Sequence, residues 1–157
     1  MPPASPRADL LALYCSTLEA SRIESLNQER AAGGGWFFGD SLAEGLQHPA
    51  VQPWRRPDQD ALCLLLSVKT DPPLGLLADE GGIRGSLLAP EGRLQPSWTW
   101  GEAIALQFRL VNDELEIQDQ ERSARLPGIS PETGLLFGEW VALAAMELPF
   151  RVSRRKS

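Results

Sequence analysis

The sequence contains a single histidine and only two cysteines, and this scarcity limits the sites that it can form. His48 is the one histidine among 157 residues, while Cys15 and Cys63 lie far apart and form no Cys-x-x-Cys motif. Because zinc sites draw on clustered cysteine and histidine ligands, this composition argues against zinc. Both cysteines lie in apolar segments, so we expect buried free thiols of a cytoplasmic protein.

Long apolar runs and phosphate-binding or calcium-binding motifs are also lacking. No apolar stretch approaches the roughly 18 residues needed to span a membrane. The first residues, Met1–Pro6, lack the basic start and apolar run of a signal peptide. No glycine-rich segment has phosphate-loop spacing, and no acidic loop has EF-hand spacing. We therefore expect no membrane span, no metal and no cofactor.

Basic residues are outnumbered by acidic ones, and several of them cluster at the end of the chain. There are 15 lysines and arginines against 21 acidic residues. Four of the 15 lie within residues 151–157, which leaves 11 basic against 21 acidic residues, or a net charge of −10, for the rest. An acidic body repels phosphate backbones, so we expect no nucleic-acid binding.

The first third of the chain predicts helices separated by glycine and proline. Apolar residues at helical spacing predict one amphipathic helix over about 7–31, after a Ser5 cap and before Gly33-Gly34-Gly35. Segment 36–59 is predicted to be irregular apart from a short helix near 41–47. That helix should end at His48, because a residue before proline avoids helical angles.

The middle of the chain predicts strands. Ala61–Val68 is a continuous apolar run, which is typical of a central strand buried on both faces. Segments 74–78 and 83–89 flank a turn. Alternating residues over 104–110 and 115–117 predict a β-hairpin around Asn112-Asp113, with one dry and one wet face.

The last predicted element is a helix over 131–147 that starts at Ser130-Pro131 and ends at Pro149. It is apolar over most of its surface, with Glu132, Glu139 and Glu147 along one narrow wet line. We expect it to be covered by the sheet and also by either the first helix or a second copy of the chain. A homodimer through the 131–147 helix follows from the latter arrangement.

Together these elements predict one α+β domain over residues 1–157. It has an N-terminal helix, a mainly antiparallel sheet of about five strands and a C-terminal helix packed on the sheet. Segments 1–6 and 151–157 are expected to be flexible ends.

One motif offers a chemical interpretation. Gly39-Asp40-Ser41-Leu42 resembles the nucleophile block of the GDSL (SGNH) ester hydrolases, in which the serine attacks an acyl carbonyl. The resemblance implies Ser41 as nucleophile and a histidine as its base, and His48 is the one candidate. In that family, however, the base belongs to a later Asp-x-x-His block, and no histidine follows His48.

Ser41 also has two other interpretations. Asp-Ser-Leu at a helix start resembles the phosphopantetheine attachment site of carrier proteins, although the His48-Pro49 break cuts short the helix that such domains need. Ser41 and Glu44 also have the spacing of a capping box, in which each side chain accepts a hydrogen bond from a backbone N–H at the helix start. We favour the capping box because it requires no missing partner.

Aromatic clusters supply the candidate binding residues. Trp36, Phe37 and Phe38 follow a glycine run, as a lid or docking knob would, and Trp98 and Trp100 should share one face of an extended segment. Trp140 adds an indole on the last helix. Such side chains either grip a ligand or partner or fill the core.

The sequence therefore predicts a non-catalytic protein-binding accessory, chaperone-like or assembly factor. Its partner is another protein, and the order of elements loosely suggests the class of secretion chaperones. The alternatives are a small ester hydrolase that uses Ser41 or a small-molecule binder with a Trp-lined pocket.

Overall fold

Two helices, α1 (Pro6–Ser16) and α2 (Ala20–Ala31), begin the computed structural model, which describes residues 6–156 and, beyond Met146, the backbone alone. The prediction of one helix over 7–31 was wrong. The Ser16 and Thr17 hydroxyls donate to carbonyls three residues back, and such bonds compete with a continuing helix. The predicted Ser5 cap and residues 1–5 of the end expected to be flexible, 1–6, lie outside the described residues, while Pro6 begins α1.

The segment after α2 is more regular than predicted. It forms strand β1 (Gly35–Phe38), a 3-10 turn (Gly39–Ser41), helix α3 (Leu42–Leu46) and a 3-10 helix (Pro49–Trp54). The expectation that the chain is irregular from residue 36 was therefore wrong. The aromatic run forms a strand because it pairs with a strand that lies later in the chain. The short helix near 41–47 is confirmed.

The described residues form nine strands in one curled antiparallel sheet, where about five were expected. After β1 these are β2 (Ala61–Ser67), β3 (Leu74–Asp79), β4 (Gly82–Ala89), β5 (Gly92–Leu94), β6 (Ser97–Thr99), β7 (Gln107–Val111), β8 (Glu114–Gln118) and β9 (Ser123–Leu126). The order is β1-β2-β3-β4-β9-β8-β7, with β5 and β6 also paired to β4. The additional strands have three or four residues, too few to show a clear alternation.

Strand β4 joins the two halves of this sheet. Arg84 pairs with β3 on one side and β6 on the other, while Leu88 pairs with β5 and β9. The β5 and β6 pairings keep one register, so they form a single arm interrupted near Pro96, which has no N–H to donate. One edge of β4 therefore pairs with this arm. The other edge pairs with β3 and, further along the strand, with β9.

The sheet has a core on each face. The larger core lies between the sheet and helices α1, α2, α4 (Trp100–Ala103) and α5 (Pro131–Lys156), and it includes Trp36, Phe137 and Trp140. The smaller core packs Phe37, Val51 and Trp54 against the opposite face. Strand β2 supplies side chains to both, which explains its continuous apolar sequence.

Helix α5 covers the larger core and contacts α1, α4, β1, β7 and β8. A carboxylate from α2 stabilises the start of α5. Glu29 of α2 accepts hydrogen bonds from the Ser130 backbone N–H at 2.9 Å and from the Thr133 hydroxyl at 2.5 Å. The predicted end at Pro149 was wrong, since the helix continues to Lys156. Within residues 6–156, no helix combines the length and apolarity needed to cross a membrane.

The two-residue turn of the β7–β8 hairpin is confirmed. Asn112 and Asp113 both adopt positive φ, at 53° and 64°, as this turn requires. The expected dry face is only partly dry. Ile104 lies beyond the end of α4 rather than in a strand, and Leu110 is 39% exposed because β7 is an edge of the sheet.

The close approach of β3 and β4 generates a stability prediction. A Cβ placed on Gly85 would lie 1.9 Å from the Gly75 carbonyl oxygen, which is backbone and cannot rotate away. We expect Gly85→Ala to lower the free energy of unfolding by about 3 kcal/mol or to prevent folding.

The control for this variant is Gly101→Ala in helix α4. Its added Cβ would meet only the Thr99 hydroxyl, at 3.8 Å, and alanine favours a helix. Gly101→Ala should leave stability unchanged or raise it by up to about 1 kcal/mol. Urea unfolding compares the two, and equal midpoints would contradict the strand contact.

Candidate functional site

The Ser41 hydroxyl is held by the end of strand β1. Ser41 Oγ donates to the Phe38 carbonyl at 2.7 Å and accepts from the Phe38 backbone N–H at 3.1 Å. Ser41 itself has helical angles and makes no side-chain cap to α3. The expected capping box with Glu44 was therefore wrong, and the serine instead closes the turn between β1 and α3.

His48 caps a different element. Its Nδ1 accepts from the Ala50 backbone N–H at 3.1 Å, at the start of the 3-10 helix Pro49–Trp54. It also lines a cavity of about 280 Å³ beside Arg30 and Glu44, a cavity whose lining residues do not include Ser41. The geometry thus assigns Ser41 and His48 to two separate turns and does not bring them together as nucleophile and base.

The aromatic run in β1 faces both cores instead of forming a mobile lid. Trp36 is fully buried and lies 4.7 Å from Phe38 and 6.0 Å from Phe137, ring centre to ring centre. Phe37 lies in the opposite, smaller core. Phe38 is half-buried beneath the Arg30 guanidinium, 5.1 Å from its ring centre. These positions favour the core-filling interpretation.

Trp98 and Trp100 lie on either side of a strand-to-helix junction. Thr99 ends β6 and forms with Glu102 the capping box that starts α4, so the segment is not extended throughout. Trp98 Nε1 donates to Asp119 at 3.0 Å, and Trp100 Nε1 donates to the Asp79 carbonyl at 2.9 Å. Burial acts to raise the pKa of Asp119, but the hydrogen bond from Trp98, those from two backbone N–H groups and the charge of Arg122 outweigh it and lower that pKa.

Trp140 and Cys63 lie inside the larger core, whereas Cys15, which was also expected to be buried, is partly exposed and packs against that core. The Trp140 ring is fully buried and meets the Trp100 ring edge to face at 5.7 Å. Burial raises the pKa of Cys15 to about 11, and that of Cys63 is also raised by burial. Thiols with raised pKa values are poor nucleophiles and poor metal ligands at neutral pH. Among the described residues, no three potential ligands are grouped to hold a metal ion.

One surface of the described structure exposes a group of large apolar side chains, and we call it the β7–α5 surface. It comprises Leu110, Leu135, Leu143 and Met146. Leu110 is opposite Leu115, whose side chain packs on Gly134 of α5, so the strand and helix parts are neighbours. Strand β7 pairs with β8 alone and leaves its other edge open within the described chain.

The opposite face of the sheet contains a second candidate, which we call the Trp54 groove. Its floor is β4, its walls are the 3-10 helix Pro49–Trp54, Pro72-Pro73 and the β5–β6 arm, and its volume is about 410 Å³. Arg84 and Arg93 line it, and no acidic residue does. Sequence reasoning missed this groove because its walls are far apart in the chain. An arginine within apolar strand β4 was the one available signal.

The turn role of Ser41 generates a two-part prediction. We expect no labelling of Ser41 by a fluorophosphonate probe, because its proton is donated to a carbonyl and no base accepts it. We expect Ser41→Ala to lower the free energy of unfolding by about 1 kcal/mol, since two turn hydrogen bonds are lost.

Exposed Ser123 supplies the control, because Ser123→Ala should change stability by less than about 0.5 kcal/mol. Mass spectrometry after probe treatment and chemical denaturation give the two readouts. Labelling at Ser41 that disappears in His48→Ala would restore the hydrolase interpretation.

Comparison with known proteins adds no further candidate. No family model matches the chain. No curated protein shows significant similarity to it, and no solved structure does so either. The functional conclusion therefore depends on the geometry of the two surfaces.

Proposed function

We propose that this chain is a non-catalytic, cytoplasmic protein-binding factor, of the accessory, chaperone-like or assembly type, which docks a partner polypeptide on the β7–α5 surface. The single observation that supports this proposal is an open strand edge flanked by exposed apolar side chains. Leu110 is 39% exposed and Met146 is 59% exposed. Exposed apolar side chains near an open strand edge are typical of an interaction site.

The edge of β7 provides the backbone part of this recognition. An unpaired edge presents N–H and C=O groups that an added strand can use, and proteins usually protect such edges with proline, lysine or a bulge. Strand β7 contains neither proline nor lysine. Its one charged side chain, Arg109, pairs within the chain with Glu116 at 2.6 Å. A partner strand therefore meets an edge that is not protected by a free charge.

Helix α5 provides the side-chain part. Leu135, Ala142 and Met146 recur at helical spacing on its exposed side, with Leu143 next to them. Glu132 and Glu139 also lie on this side, so the predicted wet line and the apolar stripe occupy the same exposed side of the helix. The side chain of Glu147, the third residue of the predicted line, is outside the described set. A partner with apolar anchors and nearby basic residues complements this mixture.

The alternatives find less support. The hydrolase interpretation lacks a base at Ser41, as described above. A small-molecule pocket built from Trp36, Trp100 and Trp140 requires rings that are accessible, and these rings are buried. Two of the six candidate binding aromatics line surface cavities of the described structure. Phe37 lines the cavity beside His48 but is only 4% exposed. Trp98 lines a cavity beside Glu102 and Asp119, and its indole N–H is already bonded to Asp119.

The first test selects extended peptides from a displayed library against the chain and maps each by backbone amide NMR shifts. We expect the selected peptides to shift residues 107–111 and the start of α5. A lysine at position 110 keeps an aliphatic stem but places a charge at the edge. Leu110→Lys should weaken the selected peptides at least tenfold while changing stability by less than about 1 kcal/mol.

Leu13→Lys is the matched control. Leu13 is 62% exposed on α1, outside the β7–α5 surface, so the same substitution there should leave peptide affinity unchanged. Peptides whose shifts lie elsewhere, or that tolerate Leu110→Lys, would contradict the proposal, as would a failure to select any peptide.

A second copy of the chain is a further partner that we propose for this surface, through α5. If it binds there, light scattering at micromolar concentration should give twice the chain mass of 17.2 kDa. Met146→Lys should then return the mass to that of a monomer, because the exposed stripe is lost. A monomeric wild-type chain would exclude the homodimer and leave another protein as the partner.

A further inference from the structure

The Trp54 groove combines two positive side chains with apolar walls in a protein whose net charge is negative. Arg84 and Arg93 line the groove, and four prolines, Trp54 and Ala50 supply its apolar part. The formal charge of the chain is −6, and no carboxylate lines the groove. Its volume of about 410 Å³ lies within the range of small-molecule sites.

The positions of the polar groups are set by the fold. Arg84 donates from Nε to the Trp54 carbonyl at 3.0 Å, and its Nη2 donates to the same oxygen. This contact holds the guanidinium at the Trp54 backbone and leaves Nη1 without a hydrogen-bond partner in the described structure. Arg93 lies on β5, is exposed and has no ion pair with any described residue. The groove is thus lined by one arginine held by the backbone and one exposed arginine without an ion pair among the described residues.

A serine hydroxyl on the floor of the groove supplies a further polar group. Ser86 lies two residues after Arg84 on β4, so both side chains face the groove side of the sheet. Ser86 as a whole is only 7% exposed, but its hydroxyl is open to the groove and makes no hydrogen bond with any described residue. This hydroxyl can therefore donate to, or accept from, a molecule that enters the groove.

We propose that the Trp54 groove binds a small anionic ligand with a flat apolar body. Its carboxylate or phosphate group accepts hydrogen bonds from Arg84, Arg93 and the Ser86 hydroxyl, and its apolar body lies against the proline and tryptophan walls. A guanidinium group can donate two parallel N–H bonds to two oxygens of either a carboxylate or a phosphate group. This site is separate from the β7–α5 surface, because Arg84 is paired with Leu77 of the smaller core, on the face opposite α5.

The experiment uses four probes of one shape that differ in charge: 2-naphthoate, 2-naphthyl phosphate, neutral 2-naphthol and cationic 2-naphthylmethylamine. Titration calorimetry measures affinity, and amide NMR shifts locate each probe. We expect at least one of the two anions to bind and to shift residues 84–86 and 93. Whichever anion binds more tightly identifies the group, and the neutral and cationic probes should bind at least tenfold more weakly.

Matched variants test the assigned residues. Arg93→Gln removes an exposed charge, so it should preserve the fold and weaken the preferred anion about tenfold, and Ser86→Ala should weaken it about threefold. Arg55→Gln makes the same charge change at an exposed arginine that lines a different cavity, and it should leave affinity unchanged. Equal binding of naphthol and the anions, or equal loss in the Arg93 and Arg55 variants, would overturn the proposal.

Discussion

The pairing of strand β4 is the constraint on which the rest of the structure depends. This one strand pairs with β3, β5, β6 and β9, so it connects the half of the sheet that carries β1 and β2 to the half that carries β7 and β8. The contact requires the backbones at Gly75 and Gly85 to approach too closely for any Cβ. Both candidate surfaces depend on this pairing, because the Trp54 groove has β4 as its floor and β7 reaches β4 through β8 and β9.

The curled sheet places two different chemistries on opposite faces. On the α5 side the large aromatic residues are used as core, which leaves the exposed apolar stripe of α5 and the open edge of β7 at the surface. On the other side, the 3-10 helix around Trp54 shields a smaller core and forms a wall of the arginine-lined groove. A protein ligand and a small anion are therefore proposed for separate sites.

Local signals predicted the elements whose residues interact with near neighbours in the chain. The apolar run of β2 reflects burial on both faces of the sheet, and the Asn112-Asp113 turn reflects the backbone angles that these residues adopt. Both predictions are confirmed. The helix break at Thr17 depends on a competing side-chain hydrogen bond. The strand Gly35–Phe38 depends on a partner that is distant in the sequence, β2. Ser41 shows the same limit, because the spacing to Glu44 was correct for a capping box but the hydroxyl found Phe38 instead.

By itself the sequence determined the α+β class, the buried central strand and the apolar character of the last helix. These properties follow from hydrophobic periodicity, which acts along the chain. Only the tertiary structure decided which aromatic side chains are exposed, where Ser41 and His48 point, and that Trp54, Arg84, Ser86 and Arg93 share one groove. Those outcomes depend on contacts between segments that are distant in the sequence, and the curl of the sheet sets these contacts.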